Sequence, residues 1–168
     1  MSDDVPATDD RNPADLINES VTHALRLART WTTWNGEPRH IDGRIYTPHK
    51  AMRRITDHLI DHLAELDARL SGQTPLPDRW HHSAITTPAD LAPFTQDDLD
   101  EARSRLTRLA QIWSTRLNSL TNERLDRTEG DAWTLRQVTF HVADTYYADT
   151  LGTLNQRPTP TQTPDPTT

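Results

Sequence analysis

The segment TPHKAMRRITDHLIDHLAELDARLSG, residues 47–72, carries one dominant period. Met52, Ile55, Leu59, Leu63, Leu66 and Leu70 recur at steps of three and four, which places them on one stripe of an α-helix and not on one face of a strand. Thr47 followed by Pro48 is an N-cap and first helical position, and Gly72 is a C-cap residue. A helix of this length needs partners for its stripe, so the question is what the rest of the chain supplies.

Working outward, three more segments repeat the pattern. Asn12 and Pro13 open a helix in which Ile17, Val21, Ala24, Ala28 and Trp31 recur, reaching about Trp34. Thr95 and Asp98 have capping-box spacing, followed by Leu99, Ala102, Leu106, Leu109, Trp113, Leu117 and Leu120. Thr134 and Gln137 repeat that spacing before Leu135, Val138, Val142 and Tyr146. Two long connections, 35–47 and 72–94, hold most of the internal Gly and Pro, and no segment reads as a strand. The expected fold class is all-α, four amphipathic helices packed as a four-helix bundle, an architecture that often places a metal or ligand site in its core.

Composition narrows the function classes. The 168 residues suit one domain, and a hydrophobic fraction of 33% with 12 Pro against 5 Gly implies that part of the chain lies outside it. The expectation is an acidic disordered leader over 1–11, a single helical domain over 12–154 and a disordered Pro/Thr tail over 155–168, NQRPTPTQTPDPTT from Asn155. A net charge of −7 repels a phosphate backbone, so nucleic acid is not the expected partner. Without Cys there is no disulfide, thiolate metal site or cysteine nucleophile. No apolar run approaches the roughly 20 residues of a membrane span, and the start MSDDVPATDD lacks the regions of a signal peptide, so a soluble cytoplasmic protein is expected.

The 8 His are then the most informative residues. At about 100° per residue, the apolar stripe of the 47–72 helix covers an arc of about 80°, and His58 and His62 lie about 20° to 60° beyond one edge. Four residues apart, their imidazoles rise from adjacent turns and reach one point above the helix, the spacing of two metal ligands. Asp57 and Asp61 project toward the opposite face and read as solvated charges. His141 falls about 60° from the stripe of the last helix, with Thr145 between it and the core. Three imidazoles on the rims of two stripes suit a divalent metal with an open position, although a helical HxxxH pair also arises by chance in so histidine-rich a chain. His81 and His82, in DRWHHSAITTP, belong to an exposed loop or to a lid over the bundle mouth. His49 sits in a first helical turn, and His23 and His40 carry no pattern.

YTPHKAMRRITDHLIDHLAEL and WTLRQVTFHVADTYYADTLG resemble the two metal-binding helices of the DinB/YfiT-like superfamily. The resemblance implies a four-helix bundle with zinc or nickel held by three histidines, here His58, His62 and His141. Most members take the lone histidine from an earlier helix than the HxxxH pair, whereas here the pair comes first. An alignment in the usual order takes His58 or His62 as the lone ligand, with Gln137 and His141 in the i, i+4 places. Members use the metal for thiol transfer, isomerisation with a low-molecular-weight thiol, or hydrolysis of small molecules. The expectation is therefore a metal-dependent transferase or hydrolase acting through a metal-activated water or thiol, with a small-molecule substrate and a homodimer as a candidate assembly. The competing expectation is a metal-free helical binding or dimerisation protein. Glu65, Gln137 and Asp144 flank the histidine faces as candidate bases or exposed polar groups, and Thr145, Tyr146 and Trp133 are candidates for pocket lining or for core packing.

Overall fold

A computed structural model describes residues 5–77 and 85–154; His81, His82 and the expected tail from Asn155 lie outside the described residues. The chain is predominantly helical. α1 spans Pro13–Ala28, α2 Pro48–Leu70, α3 Gln96–Asn118, α4 Asn122–Leu125, α5 Leu135–Val142 and α6 Tyr146–Leu151, with a hairpin of β1, Arg39–Ile41, and β2, Arg44–Tyr46, between α1 and α2.

The helix starts follow from local chemistry. Asn12 Oδ1 accepts from the Ala14 amide, Thr47 Oγ1 from Lys50, Thr95 Oγ1 from Asp98 and Thr134 Oγ1 from Gln137, each satisfying an amide that the first turn leaves over. Thr95 with Asp98 and Thr134 with Gln137 are full capping boxes. At its other end α2 closes with Gly72 at φ 69°, where Gln73 N–H donates to Ala68 O and Gly72 N–H to Arg69 O, the paired bonds of a Schellman motif.

α1 packs against α3, α5 and α6, and α2 packs against the same three helices. The shared core holds Ile17, Val21, Ala24 and Trp31 from the first segment, Met52, Leu59 and Leu66 from α2, Leu99, Leu106, Trp113 and Leu117 from α3, and Leu135, Val138 and Val142 from α5. These are the stripe residues, because burying one apolar stripe per helix is what drives the association.

Three departures from the sequence expectation have physical causes. α1 ends at Ala28 and a 3-10 turn, Trp31–Thr33, completes the segment, with Trp31 Nε1 donating to Gly152 O at 2.9 Å. The connection 35–47 contains the hairpin, because Asp42 and Gly43 take positive φ of 50° and 73° at the two central positions of a two-residue loop between Ile41 and Arg44. The last helix is broken after Val142. Asp144 Oδ1 accepts from the Tyr146 amide at 2.7 Å and so competes with the helical ladder. The break advances the buried face by one residue: Tyr147 enters the core, and Tyr146, expected on the apolar stripe, is 42% exposed.

Asp57 is not a solvated charge. Its side chain is 17% exposed and lies 3.9 Å from the fully buried Arg54 and 4.0 Å from Arg53. Asp61 is half-buried.

The second connection is pinned by Asp90, in the 3-10 turn Pro88–Leu91. Its Oδ1 accepts from Arg53 Nε at 3.0 Å and its Oδ2 from Arg53 Nη2 at 2.7 Å and from the Thr87 amide at 2.8 Å. Burial pushes this carboxyl up, but the Arg53 and Thr87 hydrogen bonds outweigh it and hold it below its ordinary 3.8. A folded-state value below the unfolded one stabilises the fold fully above the ordinary value and loses that stabilisation as pH falls toward the lower one. Asp90→Ala is expected to cost about 2–3 kcal/mol at neutral pH, discounted from a fully buried pair because Arg53 is one-third exposed. Urea unfolding checks this: the gap between wild type and variant should narrow at about pH 3, and a gap independent of pH would refute the assignment.

Candidate metal centre

α2 and α5 bring three imidazoles together. One nitrogen from each of His58, His62 and His141 lies within 4.8 Å of the other two, and these three residues form a group able to hold a metal ion. The ring centroids are 4.9 Å apart for His58 and His62, 4.8 Å for His58 and His141 and 5.1 Å for His62 and His141. The rings stand at 74°, 90° and 86° to one another, each pair edge to face.

The spacing suits a cation. His58 Nε2 and His141 Nε2 are 3.0 Å apart, joined by one proton between them. Two nitrogens bound to a tetrahedral zinc at about 2.0–2.1 Å would be about 3.4 Å apart, so a small outward shift of the rings admits the ion. His58 is 5% exposed on the core side, and the other two are half-buried.

His62 is held by Glu65 one turn on. The His62 Nδ1–H donates to Glu65 Oε2 at 2.7 Å, which selects the tautomer that presents an Nε2 lone pair. Burial pushes the Glu65 carboxyl up, but the hydrogen bond from His62 and the nearby Arg69 charge outweigh it and keep it below its ordinary 4.5. Arg69 spans two acids, with Nη1 3.5 Å from Glu65 Oε1 and Nε 3.3 Å from Glu129 Oε2. Glu65→Gln keeps the shape but removes the anionic acceptor, and is expected to weaken zinc binding about 10–100-fold while circular dichroism stays unchanged. Equal affinities in a competition titration against a chromophoric chelator would remove Glu65 from the site.

The walls are aromatic. Trp133 packs at 5.2 Å from His141, and Tyr147 at 6.0 Å from His58. Arg54 holds Tyr147 from behind, its Nη2 3.3 Å from the phenol oxygen. A cleft of about 630 Å³ opens onto His58 and His141 and is bounded by Pro6, Asp42, Arg44, Phe140, Asp144 and Tyr146. Thr145 faces a separate small cavity of about 20 Å³ beside His58, room for one water.

The flanking residues divide accordingly. Glu65 reaches the histidines, Asp144 and Tyr146 line the cleft, and Trp133 covers His141. Gln137 does not reach toward them, because its Oε1 accepts from the Thr134 amide at 2.8 Å. Both His58 and His62 converge with His141. His49 packs on Phe94 and approaches Asp98 at 3.6 Å, and His23 bonds Asp149 at 2.6 Å. His40 is exposed in β1.

Arg44, Asp42 and Tyr147 are site residues that sequence reasoning missed. The Asp-Gly turn flanked by RHI and RIY was the available signal for the hairpin that carries the first two. Tyr147 had none, because the break at Asp144 sets its direction.

Among the described residues, no helix is long and apolar enough to cross a membrane. Comparison with protein-family models, curated proteins and solved structures returned no match.

Proposed function

We propose that this chain is a four-helix bundle of the DinB/YfiT-like kind and a cytoplasmic metal-dependent enzyme acting on a small molecule by thiol transfer, isomerisation or hydrolysis. α1, α2 and α3, with α5 and α6 as a broken fourth rod, support the bundle reading. The observation that carries the metal reading is the convergence of His58, His62 and His141 at the end of an open cleft.

Among the described residues the donor set is three neutral imidazoles, which suits zinc or nickel and leaves the ion its full double charge. Such an ion supplies Lewis acidity and lowers the pKa of a water or thiol bound to it toward neutrality. The protein's own groups do the rest. Glu65 fixes the His62 ring, Trp133 shields His141 from one side, and the cleft admits substrate from the other. Asp144, whose Oδ1 accepts from the Tyr146 amide, lines the cleft and is the candidate proton acceptor there.

The test is metal analysis of protein purified without an affinity tag, followed by zinc or nickel titration. One equivalent per chain and a metal-dependent rise in Tm are expected. Less than about a tenth of an equivalent, with no stabilisation by either ion, sinks the enzyme reading in favour of a metal-free carrier or dimerisation module.

A further inference from the structure

We propose that the cleft beside His58 and His141 receives the carboxylate of a small-molecule ligand, with the Arg44 guanidinium and the Tyr146 hydroxyl as its anion-binding groups. The assignment deepens the metal-centre reading and rests on it for the second contact of the ligand.

Arg44 is the cation of the cleft wall. Among the described residues no carboxylate lies within ion-pair distance of it, although Asp42 stands two residues away across the turn. A guanidinium beside a cleft, with no paired acid among the described residues, is the usual receptor for a planar carboxylate.

A relay of hydroxyls adds a second donor. The Tyr46 and Tyr146 hydroxyls are 3.3 Å apart with their rings edge to face. Tyr46 is fully buried, so its proton must go to a protein acceptor, and the neighbouring phenol oxygen is the one within reach. With Tyr46 donating to Tyr146, the Tyr146 proton is left to point into the cleft that its half-exposed ring lines.

Charge then selects the ligand. Among the described residues the wall carries one cation, Arg44, and two anions, Asp42 and Asp144. Alone it is net negative by one; a divalent ion on three neutral histidines makes it net positive by one. Anion binding should therefore be stronger in the metal-loaded protein, and the ligand should reach from Arg44 toward the metal.

The experiment is calorimetric titration of zinc-loaded and metal-free full-length protein with succinate, with succinamide as the neutral control, in wild type, Arg44→Gln and Tyr146→Phe. Expected are succinate binding at millimolar concentration, no succinamide binding, a loss of about 10–100-fold in Arg44→Gln at unchanged zinc affinity, and a smaller loss in Tyr146→Phe. Equal succinate affinity in wild type and Arg44→Gln, or no binding to wild type in either form, overturns the assignment. If the protein takes up no zinc, the metal reading fails separately, and the same comparison in metal-free protein decides the role of Arg44.

Discussion

His141→Ala is expected to lower zinc or nickel affinity by at least about 100-fold while leaving the helical fold intact. Losing a group that merely orients a ligand already costs about 10–100-fold, and His141 is the only one of the three that comes from outside α2. Without it the group of three ligands found among the described residues is reduced to the His58 and His62 pair on one helix. The fold should survive, because His141 is half-buried at a cleft and is not among the core side chains. The readout is therefore double. Metal at a hundred times its Kd should stabilise wild type by about 2.7 kcal/mol and leave the variant's Tm where it was. A variant that binds as tightly as wild type would show that the ion sits elsewhere.

The largest loss of stability is expected from Trp113→Ala, at about 3–5 kcal/mol. Trp113 is fully buried on α3, and its Nε1 donates to Leu59 O of α2 at 3.0 Å, so one side chain fills the interface and fastens the two helices together. Leu59 follows His58, which means the clamp also sets the height of the metal-binding turn. Truncation removes the ring and leaves a cavity that packed helices do not close fully. Trp113→Phe keeps most of the volume and loses the hydrogen bond, a change expected to cost about 1 kcal/mol beyond the repacking. Because a domain of this size has a total stability of about 5–15 kcal/mol, the alanine variant should unfold at a much lower denaturant concentration. Two variants within about 0.5 kcal/mol of wild type would refute the clamp.

The helix starts were legible in the sequence. Asn12, Thr47, Thr95 and Thr134 cap amides only two or three residues away, so the signal and the interaction lie in the same short window. The stripes through Leu59, Leu106 and Val138 were legible for the same reason, since helical period alone puts them on one face. The fit of Glu65 to His62 was also within reach, as an i, i+3 pair on that helix.

Other features depended on tertiary contacts. Asp57 pairs with Arg54 and Arg53 within α2, at i, i+3 and i, i+4, but the burial of Asp57 and Arg54 follows only from the elements that pack against that helix. Tyr146 and Tyr147 are equivalent to any pattern until Asp144 takes the Tyr146 amide and turns the last helix. Arg44 reaches the cleft because the Asp42–Gly43 turn folds β2 back toward α6 and Tyr146.

The histidine-rich segment 47–72 thus determined by itself a capped amphipathic helix with two imidazoles on one flank, because those properties need only the chain's own period and its neighbours three residues away. Whether a third imidazole would meet them was decided by the packing of α5 on α2, across a sequence separation of 79 to 83 positions. No local rule spans that separation; burial of the shared core brings the two rims together.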